Sequence, residues 1–237
     1  MFGPGGPSLR ELVAQALSST DRGYDLLAPK FERTSFCTPG PVLDAAQVLL
    51  SAGGTVHRAL DLCCGTGAGL RMLRPLANEV WGLDRSAGML AEAARSLRGF
   101  EVPVRVVRGD ALAPPLRSGQ FDLITCFGAF GHILEADEPR LVAAVHALLR
   151  PGGRFAFVTA PEPRKLHPGY AVAKAFNAAM RVRNALRSPP FVMYYLTFLL
   201  PRATALLQAQ GFEVQAHTGL APAPFSRLAW VVATRSA

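Results

Sequence analysis

Between an apolar run and a helix-like run stands Leu60-Asp61-Leu62-Cys63-Cys64-Gly65-Thr66-Gly67-Ala68-Gly69, and few folds accommodate such a stretch. A buried strand that breaks into glycines and then enters a helix lets backbone approach a ligand closely, while the helix N-terminus adds unpaired N–H donors. The stretch therefore reads as a nucleotide-binding turn. The dinucleotide fingerprint wants a third glycine three residues after the second, but that position is Leu70 and the last glycine is Gly69, which weakens an NAD reading. A second acid, Asp84, ends another strand-like run 23 positions after Asp61. That is near the separation of about 20 expected of a ribose-binding carboxylate in a βαβ unit.

Strand and helix patterns alternate from there. The strands read as Arg58 to Cys63, a run ending at Asp84, Val102 to Arg108, Phe121 to Phe127 and Arg154 to Thr159; the helices start at Gly69 and span Ser86 to Leu97 and Glu138 to Leu149. Alternation of this kind implies a parallel sheet covered on both faces. Helical periodicity around Leu9 to Leu17 and Pro41 to Leu50 places helices ahead of the first strand, where they could cover a cofactor. The chain closes with a helix through Leu206 to Gln210, Gly211 beyond its end, and strand-like runs Phe212 to His217 and Leu228 to Thr234.

In order along the chain come Asp61 with its glycine turn, Glu79-Val80-Trp81-Gly82-Leu83-Asp84, Val104 to Ala111, Phe121 to Gly128, and Leu149-Arg150-Pro151-Gly152-Gly153-Arg154-Phe155. Together these resemble the motif series of the class I S-adenosylmethionine-dependent methyltransferases, the quinone- and lipid-methylating branch in particular. The resemblance covers roughly residues 55 to 160. One departure is Cys63, which stands where the family usually has its first glycine. The resemblance implies a Rossmann-like, doubly wound α/β fold: a mostly parallel seven-stranded sheet with an antiparallel last strand, N-terminal helices and a helical lid insertion. It divides the chain into cap helices after a disordered start (1–54), a cofactor-binding core (55–160), a lid or substrate segment (161–203) and a closing helix and strands (204–237). It also implies S-adenosylmethionine as cofactor and S-adenosylhomocysteine as product, held by Tyr24, Asp61, Cys63, Gly65, Thr66, Gly67, Asp84, Arg85, Met89, Asp110, Ala111 and Phe127. In this pattern Asp84 accepts from the ribose hydroxyls, Asp110 and the Ala111 N–H meet the adenine edge, and Tyr24 closes over the methionine part.

Composition narrows the partners. Half of the 237 residues are hydrophobic and 18% are charged, enough for a sizeable core and too little charge for a disordered chain. The net charge of +8 suits an acidic partner, yet the arginines are scattered without a basic run, which points to a solvated basic surface before nucleic acid. Cys37, Cys63, Cys64 and Cys126 lack metal-ligand spacing and read as small buried residues. With no signal-peptide pattern at the start, a cytoplasmic setting is expected. No run reaches the about 20 apolar residues of a spanning helix; Phe191 to Leu200, closed by Pro190 and Pro201, reads as a buried or interfacial helix. Residues 1 to 8 are rich in glycine and proline and read as disordered. The sequence leaves the oligomeric state open.

Methyl transfer from a sulfonium is an in-line displacement, so a protein mainly aligns the acceptor and removes its proton. His132, in the loop after the fourth strand, is the candidate base, since a neutral imidazole takes up a proton near pH 7; bracing that loop is its other reading. The segment between Pro161 and Pro201 is the candidate lid, with a helix over Tyr170 to Arg187 whose Lys165, Lys174, Arg181, Arg183 and Arg187 interleave with Val172, Phe176, Met180 and Leu186. It could receive an amphipathic or anionic substrate or touch a membrane surface; an ordinary surface helix is the plainer reading. His167, Tyr170, Tyr194 and Tyr195 are candidate acceptor contacts. Glu135, Asp137 and Glu138 read as a solvated turn and helix start. Thr125-Cys126-Phe127-Gly128 lacks both the Asn/Asp-Pro-Pro-aromatic grip of amine-methylating enzymes on nucleobases and the acid that catechol-type enzymes use for a metal, so no metal is expected. A small, partly apolar acceptor remains. The alternatives are a cofactor-binding sensor or assembly protein without turnover and, third, a nicotinamide-dependent oxidoreductase.

Overall fold

A computed structural model of the chain describes residues 5–99, 102–166 and 168–236. Three helices lead in, α1 (Leu9–Ala16), α2 (Thr20–Leu27) and α3 (Gly40–Ser51), with a 3₁₀ turn at Ala28–Arg33. The core follows as β1 (Val56–Leu62), α4 (Ala68–Leu73), β2 (Ala77–Asp84), α5 (Ala87–Ser96), β3 (Val104–Arg108), β4 (Phe121–Cys126), α6 (Glu138–Leu148) and β5 (Leu149–Thr159). Then come α7 (Pro168–Leu186), α8 (Leu200–Ala209), β6 (Phe212–Thr218) and β7 (Ala229–Arg235).

The seven strands lie in the order β3-β2-β1-β4-β5-β7-β6. The β1 to β5 pairings are parallel, and β7 runs antiparallel to both neighbours. This is the Rossmann-like sheet expected from the alternating pattern. Strand direction sends neighbouring side chains to opposite faces: Ala59 and Leu123 join Leu70, Leu73 and Leu90 in one apolar layer, while Leu60 and Ile124 join Val145, Phe155 and Leu207 in the other. The order reverses between β1 and β4, and ligands of open α/β sheets bind at such a switch point, outside the carboxyl ends of the strands.

Several sequence expectations are corrected. Gly5 to Ser8 are ordered: Ser8 and Glu11 form a reciprocal capping box on α1, and Arg33 donates to the Gly5 carbonyl. The stretch between the expected end of the helix at Leu149 and the expected start of the strand at Arg154 is drawn into β5, because Leu149 pairs with Phe121 before a register shift brings Arg154 opposite Leu123. Glu138 is buried, not solvated; one carboxylate oxygen accepts from the Phe198 N–H (3.0 Å) and the other from Arg202.

The largest departure is Phe191 to Leu199, expected as a helix and found as an irregular strap. Leu196 (φ 60°) and Phe198 (φ 47°) are left-handed, which no α-helix tolerates. Side chains from other elements satisfy the strap's backbone instead. On α7, Asn177 donates to the Tyr195 carbonyl and accepts its N–H, both at 2.8 Å, and Asn184 treats Phe191 in the same way. The Thr20 hydroxyl accepts the Val192 N–H, and the Gly131 carbonyl accepts the Tyr194 N–H.

Candidate active site

The carboxyl ends of β1, β2 and β4 open into a cleft that α2 and the chain through Thr38 cover. Its floor is the glycine turn. Cys63 (φ 56°), Gly65 (φ 52°) and Gly67 (φ 92°) all take left-handed backbone, a cost of about 1–2 kcal/mol at Cys63 that glycine would not carry. The Cys63 side chain is accommodated against Cys126, and the hydrogen bond with that thiol, together with burial, pushes its own thiol well up, so it stays protonated. At Gly69 an added Cβ would overlap the Asp61 carboxylate, whereas at Gly65 it would meet no protein atom and would project into open space.

Two acids frame the turn. Asp61 is buried and accepts from the Thr125 hydroxyl at 2.7 Å; burial pushes its carboxyl up to about 7, the hydroxyl opposing the shift only in part. Asp84 spans the turn and the start of α5, accepting from Gly65 N and Ser86 N, each at 2.9 Å. Burial raises its pKa too, against those backbone donors. Such buried carboxylates suit a ligand carrying cationic and hydroxyl groups. Beside them the Asp25 carboxylate accepts from the Ser86 hydroxyl and Gly88 N, fixing α2 on the N-terminus of α5.

On the opposite wall Tyr24 and His132 meet. The Val192 carbonyl, 2.7 Å from His132 Nδ1, can only accept, so Nδ1 carries the proton and Nε2 presents a lone pair. Tyr24 Oη lies 2.6 Å from Nε2 and donates to it. Burial lowers the imidazole pKa and raises that of the phenol, so both groups are neutral at pH 7. The Tyr24 ring is further held edge-on to His132 (5.0 Å) and stacked with Phe191 of the strap (6.5 Å).

Of the residues singled out from sequence, Tyr24, Asp61, Cys63, Gly65, Thr66, Asp84, Arg85, Met89, Phe127 and His132 line the cleft. Gly67 faces α5 instead, where a Cβ would stand 3.4 Å from that of Ala93. Asp110 and Ala111 stand outside the lining, and Arg85 bridges the gap with ion pairs to Asp110 (3.5 Å) and Asp21 (2.9 Å). Tyr170, Tyr194 and Tyr195 are not brought to the cleft. They pack in and around α7 and the strap: Tyr195 against Phe176, Tyr194 under Arg181 and Tyr170 under Lys174. His167 lies outside the described residues. Sequence reasoning missed Asp21, Asp25, Phe31, Phe36 and Thr38; an aromatic-rich interval between two helical patterns was the available signal for Phe31 and Phe36. Asp25 acts on α5 across 63 positions, and no local spacing reveals that.

Comparison with known proteins agrees with this geometry. A family described as a methyltransferase domain matches residues 59–153. The demethylmenaquinone methyltransferase of Thermus thermophilus is 35% identical over 167 residues, covering 67% of this chain and 75% of that protein. This chain belongs to the S-adenosylmethionine-dependent methyltransferases. A second member, the demethylmenaquinone methyltransferase of Lactiplantibacillus plantarum, is 34% identical over 151 residues, 59% of this chain and 62% of the relative. The methyltransferase fold extends over nearly the whole molecule: the structure of the DhpI-SAM-HEP complex superposes with a TM-score of 0.67 at 22% identity, covering 96% of this chain and 99% of the other.

Proposed function

We propose that this methyltransferase acts on a small hydroxylated aromatic acceptor of the quinol type, and that Tyr24 and His132 remove its proton. Bound in the cleft, S-adenosylmethionine would supply an electrophilic methyl group. Asp84 and Asp61, with the N–H groups around Gly65, would hold it from the floor, with Arg85, Met89 and Phe127 beside them. Asp110 and Ala111 would take part only through a shift of the Arg85 bridge.

The observation that carries the acceptor side is the fixed tautomer of His132. Its lone pair faces the cleft through the Tyr24 hydroxyl, so an acceptor hydroxyl donating to Tyr24 Oη would lose its proton as Tyr24 passes its own to Nε2. A deprotonated phenol is a better nucleophile at oxygen and at the adjacent ring carbon, and either would attack the methyl in line. Phe31, Phe36 and Phe127 line the cleft beside this pair and offer flat apolar surface to an aromatic ring. The two demethylmenaquinone methyltransferases above point to the same acceptor class. Arg183, Asn177 and Asn184 on the inner face of α7, together with the strap, would act as the lid, by holding Phe191 and Val192 on the Tyr24–His132 pair.

The test is transfer of labelled methyl from S-adenosylmethionine to a panel of short-chain demethylquinols, catechols and aliphatic alcohols. Label should enter quinols, and His132→Ala should lower turnover by about 10²–10⁴-fold with little change in cofactor affinity. Full turnover in His132→Asn, which cannot act as a base, would remove the proton-transfer role. Absence of label from every quinol would remove the acceptor class.

A further inference from the structure

Helix α7 is packed on one side only. Tyr170, Ala173, Phe176, Asn177, Met180, Arg183 and Asn184 are buried or half-buried, at the spacing that places them on one face toward the strap. The opposite arc is exposed and wholly apolar: Ala171, Val172, Ala175, Ala178, Ala179, Val182, Ala185 and Leu186. Val172, Val182 and Leu186 are 69%, 58% and 79% exposed, and Leu166 just ahead of the helix is 99% exposed. A surface helix normally turns charge outward on this side; here the outer face is more apolar than the inner one.

The chain that forms and flanks this helix carries charge of one sign. From residue 163 to residue 212 the sequence holds no Asp or Glu and seven Lys or Arg. Arg183 and Arg202 are turned inward, to the Ala16 and Ser18 carbonyls and to Glu138. Arg164, Lys165, Lys174, Arg181 and Arg187 form no ion pair among the described residues. No helix among those residues is long and apolar enough to cross a membrane.

We propose that α7 lies in the plane of an anionic bilayer, its Val172–Val182–Leu186 face among the acyl chains and its flanking cations at the headgroups. An apolar face with basic flanks fits an anionic lipid surface; two copies meeting through it would instead juxtapose like charges. The strap clamped by Asn177 and Asn184 ends at Tyr24 and His132, so the helix in the membrane is the one that carries the catalytic wall. This rests on the quinol reading only in making the membrane the source of a lipophilic acceptor.

The test is flotation of the full chain with vesicles of phosphatidylcholine alone or with 40% (roughly) phosphatidylglycerol, scored alongside methylation of a water-soluble short-chain quinol. Each basic residue near an anionic surface strengthens binding by about fivefold, so binding should rise at least about tenfold with the anionic lipid and fall with salt. Ala175→Glu/Val182→Glu should lower vesicle binding at least about tenfold while leaving S-adenosylmethionine binding and turnover of the soluble quinol unchanged. No preference for anionic vesicles, or full binding by the double variant, overturns the proposal. So does a concentration-dependent dimer in sedimentation velocity that the double variant abolishes, which would assign the face to a second copy. Vesicle binding without methylation of any quinol would instead leave the membrane surface standing and remove the acceptor class.

Discussion

Replacing Tyr24 by Phe removes one oxygen and nothing else. The ring keeps its stacking on Phe191 and its edge contact with His132, but Nε2 of His132 loses the hydroxyl that donates to it across 2.6 Å. An acceptor left unmatched in a buried site costs about 1–3 kcal/mol, against a domain stability of about 5–15 kcal/mol, so the variant should fold with a lowered melting temperature. If the hydroxyl relays the acceptor's proton, turnover should fall by about 10²–10⁴-fold, which is about 2.7–5.4 kcal/mol of barrier. KM for S-adenosylmethionine should change by less than about threefold, because the lost atom serves proton transfer and not cofactor binding. The assay is steady-state methyl transfer with cofactor affinity measured separately by calorimetry. Turnover within about threefold of wild type refutes the relay; a large rise in KM with turnover preserved would make Tyr24 a cofactor-closing residue.

Asp84→Ala should cost about 1.5–3 kcal/mol of cofactor binding if the carboxylate receives ribose hydroxyls, and because Asp84 also ties Gly65 N to Ser86 N thermal melting should drop as well; unchanged calorimetric affinity would sink its assignment. Asp61 holds its proton up to about 7 in the folded protein and only to about 3.9 when unfolded, so cofactor-free stability should decline as pH rises from about 4 to 7. Asp61→Asn should flatten that slope in melting curves, and an equal slope in both proteins would contradict it.

The sheet was legible because each buried strand is bounded by its own turn and the apolar alternation survives into the packed layers, as at Leu123 and Ile124. The glycine turn, Asp61 and Asp84 were legible for the same local reason. What escaped was non-local. The run Phe191 to Leu200 has the composition of a buried helix, yet its backbone partners are Asn177, Asn184, Thr20, Gly131 and Glu138, and nothing within the run announces them. Glu138 sits where a helix start is usually solvated, and only the folded chain brings Arg202 and Phe198 N to it. Tyr194 and Tyr195 looked like pocket aromatics because sequence cannot tell a ring that packs a loop from one that faces a ligand.

A segment whose backbone is held by side chains of other elements has no local order to fall back on. Once Asn177 and Asn184 move, the strap has no ladder or helical turn of its own; Val192 is left to its N–H bond to Thr20, and the carbonyl that fixes the His132 Nδ1 proton is less firmly placed. The imidazole would then be free to exchange tautomers, and its lone pair would no longer be committed to the Tyr24 side. Protonation geometry at the Tyr24–His132 pair is thus a readout of whether α7 is seated, and the amide protons of Phe191 and Tyr195, the two bonded to α7, should exchange with solvent as one group, at the rate at which that helix lifts.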